Sequence, residues 1–262
     1  MTIVSLRRMS TSLVVLGLAV LGLAVLGSSA TALAAPTFTF KTKALPIPGF
    51  PGTGDILGAG AVIQFEGKIS GTEYGGFPPP LIGLKYYAPA GAKLHPQGFA
   101  TCAPSVLETS GPGPCPKQSI AGTMGFGVGV VSFGAERVQE RASVQPFFAP
   151  GGNLEFFVDG TTPVSLELLA TGHVVSSSPP FGLEVIGEVP LIETVPGALD
   201  ASFEEGHINV GAAYRRGKHT VSYVTVPKRC PAGGWSVKVE LSFLGGASTE
   251  ASYKMPCPRR SS

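Results

Sequence analysis

Apolar and polar side chains alternate along much of the chain after residue 35. In segment 235–243 every second residue is apolar, from Trp235 to Phe243, while Lys238 and Glu240 lie between them. A period of two is typical of a β-strand with one buried and one solvated face. Two glycines follow, and segment 248–255 returns with the same period, so this region is predicted to form an antiparallel hairpin.

The same alternation predicts about a dozen strands, because helical periodicity is nearly absent after residue 35. A second hairpin is expected around a turn at 215–218. The other predicted strands are 38–43, 63–69, 81–87, 121–133, 137–148, 154–158, 164–168, 181–192, 208–214 and 221–226. Short strands joined by turns rich in Gly and Pro favour an all-β protein, an antiparallel β-sandwich built as one large or two small units.

One predicted strand carries an unusual pattern. Gly125, Gly127 and Gly129 alternate with larger apolar residues, so one face of the strand is bare backbone. Glycine weakens a strand and often marks the close approach of another element. Two interpretations stay open: tight packing against a neighbouring element, or a ligand or partner on the bare face.

The N-terminus has the three parts of a secretory signal peptide at residues 1–34. Arg7 and Arg8 precede an uncharged apolar run at 13–27, and Ala32-Leu33-Ala34 forms a small-x-small cleavage site. The run is short for a permanent membrane anchor, which is the alternative. The residues after the two arginines match a twin-arginine signal poorly, so the general secretory route is preferred. We therefore expect a secreted, extracellular protein with no integral membrane span after cleavage.

Cleavage would leave 228 of the 262 residues as one secreted β-sandwich region, 35–262, with a subdivision near residue 150 as an alternative. Without Arg7 and Arg8 the 19 basic residues become 17, equal to the 17 acidic ones. A net charge near zero argues against a nucleic-acid partner, which requires a strong basic field.

All four cysteines, Cys102, Cys115, Cys230 and Cys257, follow the predicted cleavage site. An even number in an oxidising compartment predicts two disulfides with three alternative pairings. The local pairs 102–115 and 230–257 are favoured, and the second would clamp the open end of the C-terminal hairpin. A four-thiolate zinc site is the less favoured alternative, since the spacings are not CxxC pairs.

Known catalytic and cofactor motifs are missing from the sequence. No G-x-S-x-G, S-x-x-K or H-E-x-x-H pattern occurs after the signal peptide, and no cofactor, catalytic residue or metal ligand is predicted. Two weak candidates are a metal site formed by His207 and His219 across a hairpin, and a glycosidase pair formed by Glu155 and Glu167. The sequence therefore leans toward a non-enzymatic role.

Aromatic residues supply the best hint of binding. They cluster in the first half, near loops rich in proline, where tyrosines suit glycan or protein recognition. The candidate ligand surface comprises Tyr74, Phe77, Tyr86, Tyr87 and Phe99. Tyr86 and Tyr87 are adjacent, so one of them must point outward from a regular strand. Core packing is the alternative explanation for all five.

Several turn and cysteine motifs carry a family resemblance. They are 94–99 leading to Cys102, Cys115-Pro116, 149–152, 226–231 and Cys257-Pro258. With these motifs the chain resembles a group of exported, β-rich proteins of high-GC Gram-positive (actinobacterial) bacteria. The resemblance implies a β-rich exported fold, and it implies no activity and no catalytic or binding residues.

Together these observations predict a secreted, non-enzymatic β-sandwich protein of the cell envelope or extracellular space. Its partner would be a cell-envelope glycan or a protein. The alternative is a carbohydrate-active protein, either a glycan-binding module or a glycoside hydrolase that uses Glu155 and Glu167.

Overall fold

The computed structural model describes residues 35–54 and 56–258, so the predicted signal peptide lies outside the described residues. These residues form fifteen β-strands, one short α-helix (α1) and two single 3-10 turns. The elements are β1 Thr37–Leu45, β2 Val62–Ser70, β3 Leu81–Pro89, β4 Lys93–Leu94, α1 Pro104–Ser110, β5 Gly125–Phe133, β6 Glu136–Phe148, β7 Leu154–Gly160, β8 Leu166–Ser176, β9 Phe181–Glu188, β10 Ser202–Val210, β11 Ala213–Arg216, β12 His219–Ser222, β13 Val224–Thr225, β14 Trp235–Phe243 and β15 Ser248–Met255.

Eleven strands form one antiparallel sheet in the order β1-β2-β10-β5-β6-β7-β8-β9-β3-β14-β15. The sheet curls until its two edge strands meet, where the rings of Phe40 in β1 and Tyr253 in β15 lie 5.8 Å apart. The predicted sandwich is therefore corrected to a nearly closed barrel. Strand alternation could not distinguish the two, because both architectures bury every second side chain.

The two ends of the barrel differ. At the end we call the rim, β3 begins at Leu81 and β9 ends at Glu188; the opposite end is the base. Segments 46–54, 56–61, 90–124 and 211–234 cover the base, and they contain the small sheets β11–β12 and β4–β13. The strands before and after residue 150 pair directly, so Pro150–Gly152 is the turn of the β6–β7 hairpin.

Most strand predictions match the structure, with shifted ends. The strand predicted at 208–214 is broken at Gly211. This glycine has a φ of 149° and lies against β2, so β10 ends before it.

Helix α1 was not predicted. It has only seven residues, which give too little periodicity to detect, and it begins with proline. Its residue Leu107 packs on the outer face of the barrel against Phe147 and Phe157.

Two disulfides are present, with the pairing that the sequence favoured. Cys102–Cys115 joins the two ends of the segment that contains α1, with a Cα–Cα distance of 5.3 Å. Cys230–Cys257, with a Cα–Cα distance of 6.1 Å, closes the open end of the β14–β15 hairpin. No helix in the described part of the chain is long and apolar enough to cross a bilayer.

The interior of the barrel has a packed half and a hollow half. In the packed half, the inward side chains of β14, from Trp235 to Phe243, are at most 2% exposed. They contact β1, β2 and β15 through one continuous apolar cluster. On β3, β7, β8 and β9 most inward apolar side chains are only half-buried, because they border a cavity; Leu81 and Leu154 are the buried exceptions.

Candidate functional site

An apolar cavity of about 320 Å³ occupies the hollow half of the barrel. It extends from Leu166 and Ile192 near the rim to Ala92 and Leu94 near the base. Its main wall residues are Phe65, Leu84, Tyr86, Phe156, Leu168 and Val185. These side chains all point inward because the strand register places them opposite one another. Tyr86 on β3, for example, lies opposite Val185 on β9. Cavities of this size and apolar character are typical of small-molecule sites.

Several inward positions of the barrel are glycines, and neighbouring side chains pack close to them. Gly67, Gly206 and Gly127 are direct register partners on β2, β10 and β5, so a row without side chains crosses three strands. A second such pair, Gly172 and Gly187, joins β8 to β9. A larger side chain at most of these positions would therefore collide with a phenylalanine ring.

The bare face of β5 points into the barrel. Gly127 and Gly129 line the cavity. The ring of Phe203 nevertheless packs close to Gly127, and a Cβ there would lie 3.2 Å from its Cε2. A Cβ on Gly125 would overlap the carbonyl oxygen of His207. A Cβ on Gly129 would lie 2.8 Å from the Ser202 carbonyl oxygen, so close packing describes all three glycines, although Gly127 and Gly129 also border the cavity.

Glu140 places a carboxyl group in the cavity wall near the rim. It is 3% exposed, and its Oε2 accepts a hydrogen bond from the Val164 amide at 3.2 Å. Its Oε1 is buried with no hydrogen-bond partner among the described residues. The carboxyl fits because position 160 is a glycine, where a Cβ would collide with Oε1.

Two tyrosines add hydroxyl groups to the wall. Burial raises the pKa of Tyr86 to about 12. Tyr223 lies at the base and is 1% exposed, and burial also raises its pKa. Its ring packs 4.5 Å from that of Phe148, and in the described structure its hydroxyl has no partner.

A shallow groove of about 330 Å³ lies on the outside of the base. Gln97, Thr101 and Asn153 provide polar groups along it, and Phe148 and Tyr223 form part of its floor. Tyr223 lines both this groove and the internal cavity, so its side chain stands between them.

The chain matches no known family model, no curated protein and no solved structure. The assignment of a site therefore rests on the geometry of the barrel.

The five aromatic residues proposed from the sequence lie in four separate places. Tyr86 points into the cavity, whereas Tyr87 points outward, as their adjacency requires. Lys238 Nζ lies 4.5 Å from the Tyr87 ring centroid, and the Tyr87 hydroxyl donates a hydrogen bond to Glu240. Phe99 packs at the base, 4.7 Å from the ring of Phe148. These positions do not form one continuous ligand surface.

Tyr74 and Phe77 contact Arg137 on the outside of the barrel. The guanidinium carbon lies 5.6 Å from the Tyr74 ring centroid and 5.4 Å from that of Phe77. Arg137 Nη2 also donates hydrogen bonds to the Asp200 carbonyl and the Ser202 hydroxyl. Arg137 therefore ties two rim loops, 71–80 and 189–201, to the barrel wall.

The proposed glycosidase pair is too far apart along the sheet. Glu155 and Glu167 both point outward, but Glu155 pairs with Thr171, four residues from Glu167, or about 13 Å. Hydrolysis needs carboxyl groups within about 9.5 Å. Glu155 is also buried, which raises its pKa, and it accepts a hydrogen bond from the Thr171 hydroxyl.

The proposed histidine pair is likewise separated. His207 lies on β10 in the main sheet, with its Nε2 2.7 Å from Gln64 Nε2, whereas His219 lies on β12 in a separate two-stranded sheet. Within residues 35–54 and 56–258, no group of three His, Cys, Asp or Glu side chains is arranged to hold a metal ion.

Glu140 and Tyr223 were missed by the sequence analysis. The signal for Glu140 was available, since Glu140, Ala142 and Val144 occupy the inward positions of the predicted strand 137–148. An acidic residue at an inward position of an otherwise apolar face is uncommon without a partner. Tyr223 carried no comparable signal, because its burial depends on loops from three parts of the chain.

Proposed function

We propose that this protein is a non-enzymatic binding protein that holds a small apolar molecule inside its barrel. The observation that carries the proposal is the cavity of about 320 Å³, whose wall is built from half-buried apolar side chains. A ligand that fills this space would remove apolar surface from water at about 25 cal/mol per Å².

The arrangement of polar groups favours binding over catalysis. Glu140 lies near the rim, and Tyr223 lies at the base, where its ring packs against Phe148. Nucleophilic catalysis by a side chain needs a base within hydrogen-bond distance of the nucleophile. These two groups are at opposite ends of the cavity, so they do not form such a pair.

An apolar fluorescent probe tests the proposal directly. N-phenylnaphthylamine gains fluorescence in apolar pockets, and titration of the purified protein should give saturable binding. Ala170→Phe would place a ring in the cavity, since Ala170 lies on its wall. This variant should bind the probe at least about tenfold more weakly, the equivalent of ~1.4 kcal/mol.

Val175→Phe is the matched control. Val175 lies on the same strand but on the outer face, where it is 41% exposed. It should bind the probe as the wild type does. Absence of saturable binding by the wild type, or equal loss in both variants, would show that the cavity is not a binding site.

We also propose that the protein acts outside the cell. The two disulfides support this, because such bonds persist in oxidising compartments. The predicted signal peptide and the resemblance to exported actinobacterial proteins point the same way. Expression in an actinobacterial host should release protein whose N-terminus begins near Ala35, and retention of an intact N-terminus in the cell pellet would contradict the proposal.

Glycan binding is the second candidate, and the groove at the base supports it. Gln97, Thr101 and Asn153 offer the amide and hydroxyl groups that bind sugars. The groove lacks an exposed ring on its floor, since Phe148 and Tyr223 are at most 3% exposed, and this makes it the weaker candidate. A glycan array decides the matter, because strong retention of one polysaccharide would favour the groove.

A further inference from the structure

Glu140 is an exception on the wall of an apolar cavity. One carboxyl oxygen is held by the Val164 amide, while the other is buried without a partner among the described residues. Buried polar atoms in proteins are nearly always hydrogen-bonded, so an unpaired one on a cavity wall is a position where a ligand can supply the missing donor.

The neighbouring basic residues do not neutralise Glu140. Arg137 and Arg141 lie on the same strand but at outward positions, because side chains alternate along β6. The Arg141 guanidinium carbon lies 3.5 Å from the ring centroid of Phe126, and Arg137 binds the rim loops. No ion pair within the described residues involves Glu140.

Building on the proposed binding function, we infer that Glu140 selects apolar ligands that carry a hydrogen-bond donor, an amine or a hydroxyl, at one end. The donor would pair with the free carboxyl oxygen while the apolar body fills the cavity. A ligand that ends in a carboxylate would instead bring a second acceptor against the free oxygen with no proton to share, and this is unfavourable in an apolar site.

The test compares ligands that share one alkyl chain and differ only at the end group. Decylamine, decanol and decanoate would each displace N-phenylnaphthylamine from the protein at neutral pH. The wild type should bind the amine and the alcohol about tenfold more tightly than the carboxylate, the size expected for a hydrogen bond to a charged group.

Glu140→Gln separates selectivity from a structural role. Glutamine can still accept the Val164 amide proton, but it offers a donor as well as an acceptor, so the preference should fall to about twofold. Glu167→Gln, the same substitution at an exposed position of β8 away from the cavity, is the matched control and should keep the wild-type preference.

The outcomes distinguish this inference from the function on which it rests. Failure of the wild type to bind the probe overturns the binding function itself. Probe binding with equal affinities for all three ligands, or a preference that persists in Glu140→Gln, overturns the role of Glu140 alone. The wild-type comparison needs no variant, so a poorly folding Glu140→Gln protein still leaves a decisive result.

Discussion

The ring of Phe203 packs against the bare backbone of Gly206, its neighbour across a bulge in β10. A Cβ at position 206 would lie 2.7 Å from Cζ of that ring. The same ring covers Gly127 on the adjacent strand. One aromatic side chain therefore fills the space that two glycines leave, and its other side faces the cavity.

Gly206→Ala should push the Phe203 ring toward the cavity, which is the open side. We expect a loss of about 1–3 kcal/mol of stability from overpacking and weaker binding of N-phenylnaphthylamine. Denaturant unfolding and probe titration measure the two effects. Gly113→Ala is the control, because a Cβ there would have no neighbour within 4 Å. Unchanged probe affinity in Gly206→Ala would show that Phe203 does not border the ligand.

Tyr223→Phe should stabilise the protein by about 1 kcal/mol, because it removes a buried hydroxyl that has no partner in the described structure. Urea unfolding measures the change. Tyr87→Phe is the matched control, since the Tyr87 hydroxyl donates a hydrogen bond to Glu240 at 3.1 Å and its removal should not stabilise. A destabilised Tyr223→Phe protein would mean that the hydroxyl has a partner after all.

Glu155→Gln should change how stability depends on pH. Burial raises the pKa of Glu155 above its usual 4.5, so the folded state keeps this proton at pH values where the unfolded chain has lost it. The contribution of Glu155 to stability is complete below pH 4.5 and is lost as the pH rises through the folded pKa. The glutamine variant avoids this loss, so its advantage over the wild type should grow as the pH rises above 4.5.

Thermal unfolding of both proteins across this pH range measures the difference. Glu167→Gln, on the exposed part of the same outer face, serves as the comparison. A parallel pH dependence for the wild type and Glu155→Gln would contradict the buried position of Glu155.

Each disulfide should contribute about 3–3.5 kcal/mol through its loop of 13 or 27 residues. Replacing Cys230 and Cys257 by serine should lower stability by this amount, because the β14–β15 hairpin then opens at the base. Replacing Cys102 and Cys115 by serine should lower stability by more than the loop-closure contribution, because Cys102 is also buried beside Leu107. Non-reducing peptide mapping checks the pairing, and crossed linkages would refute it.

Local pattern was enough to predict most strands and both disulfides. The strand at 235–243 was visible because alternation at period two depends only on neighbours along the chain. The same rule predicted that one of Tyr86 and Tyr87 points outward, and the structure shows that it is Tyr87. Cys230 and Cys257 could be paired because they flank one predicted hairpin. In each case the contact joins residues that are close in sequence.

The barrel and its cavity were decided by contacts that alternation does not encode. β3 lies between β9 and β14, about a hundred or more residues away in sequence, and β1 meets β15 only because the whole sheet curls. Alternation states that Leu84 and Val185 point inward, but not that they face an empty space rather than a second sheet. The sequence by itself therefore determined the all-β class, the strand positions and the local cysteine pairs. Only the tertiary structure decided the closure, the cavity and the place of Glu140, because these depend on how the strands are ordered and twisted around a common interior.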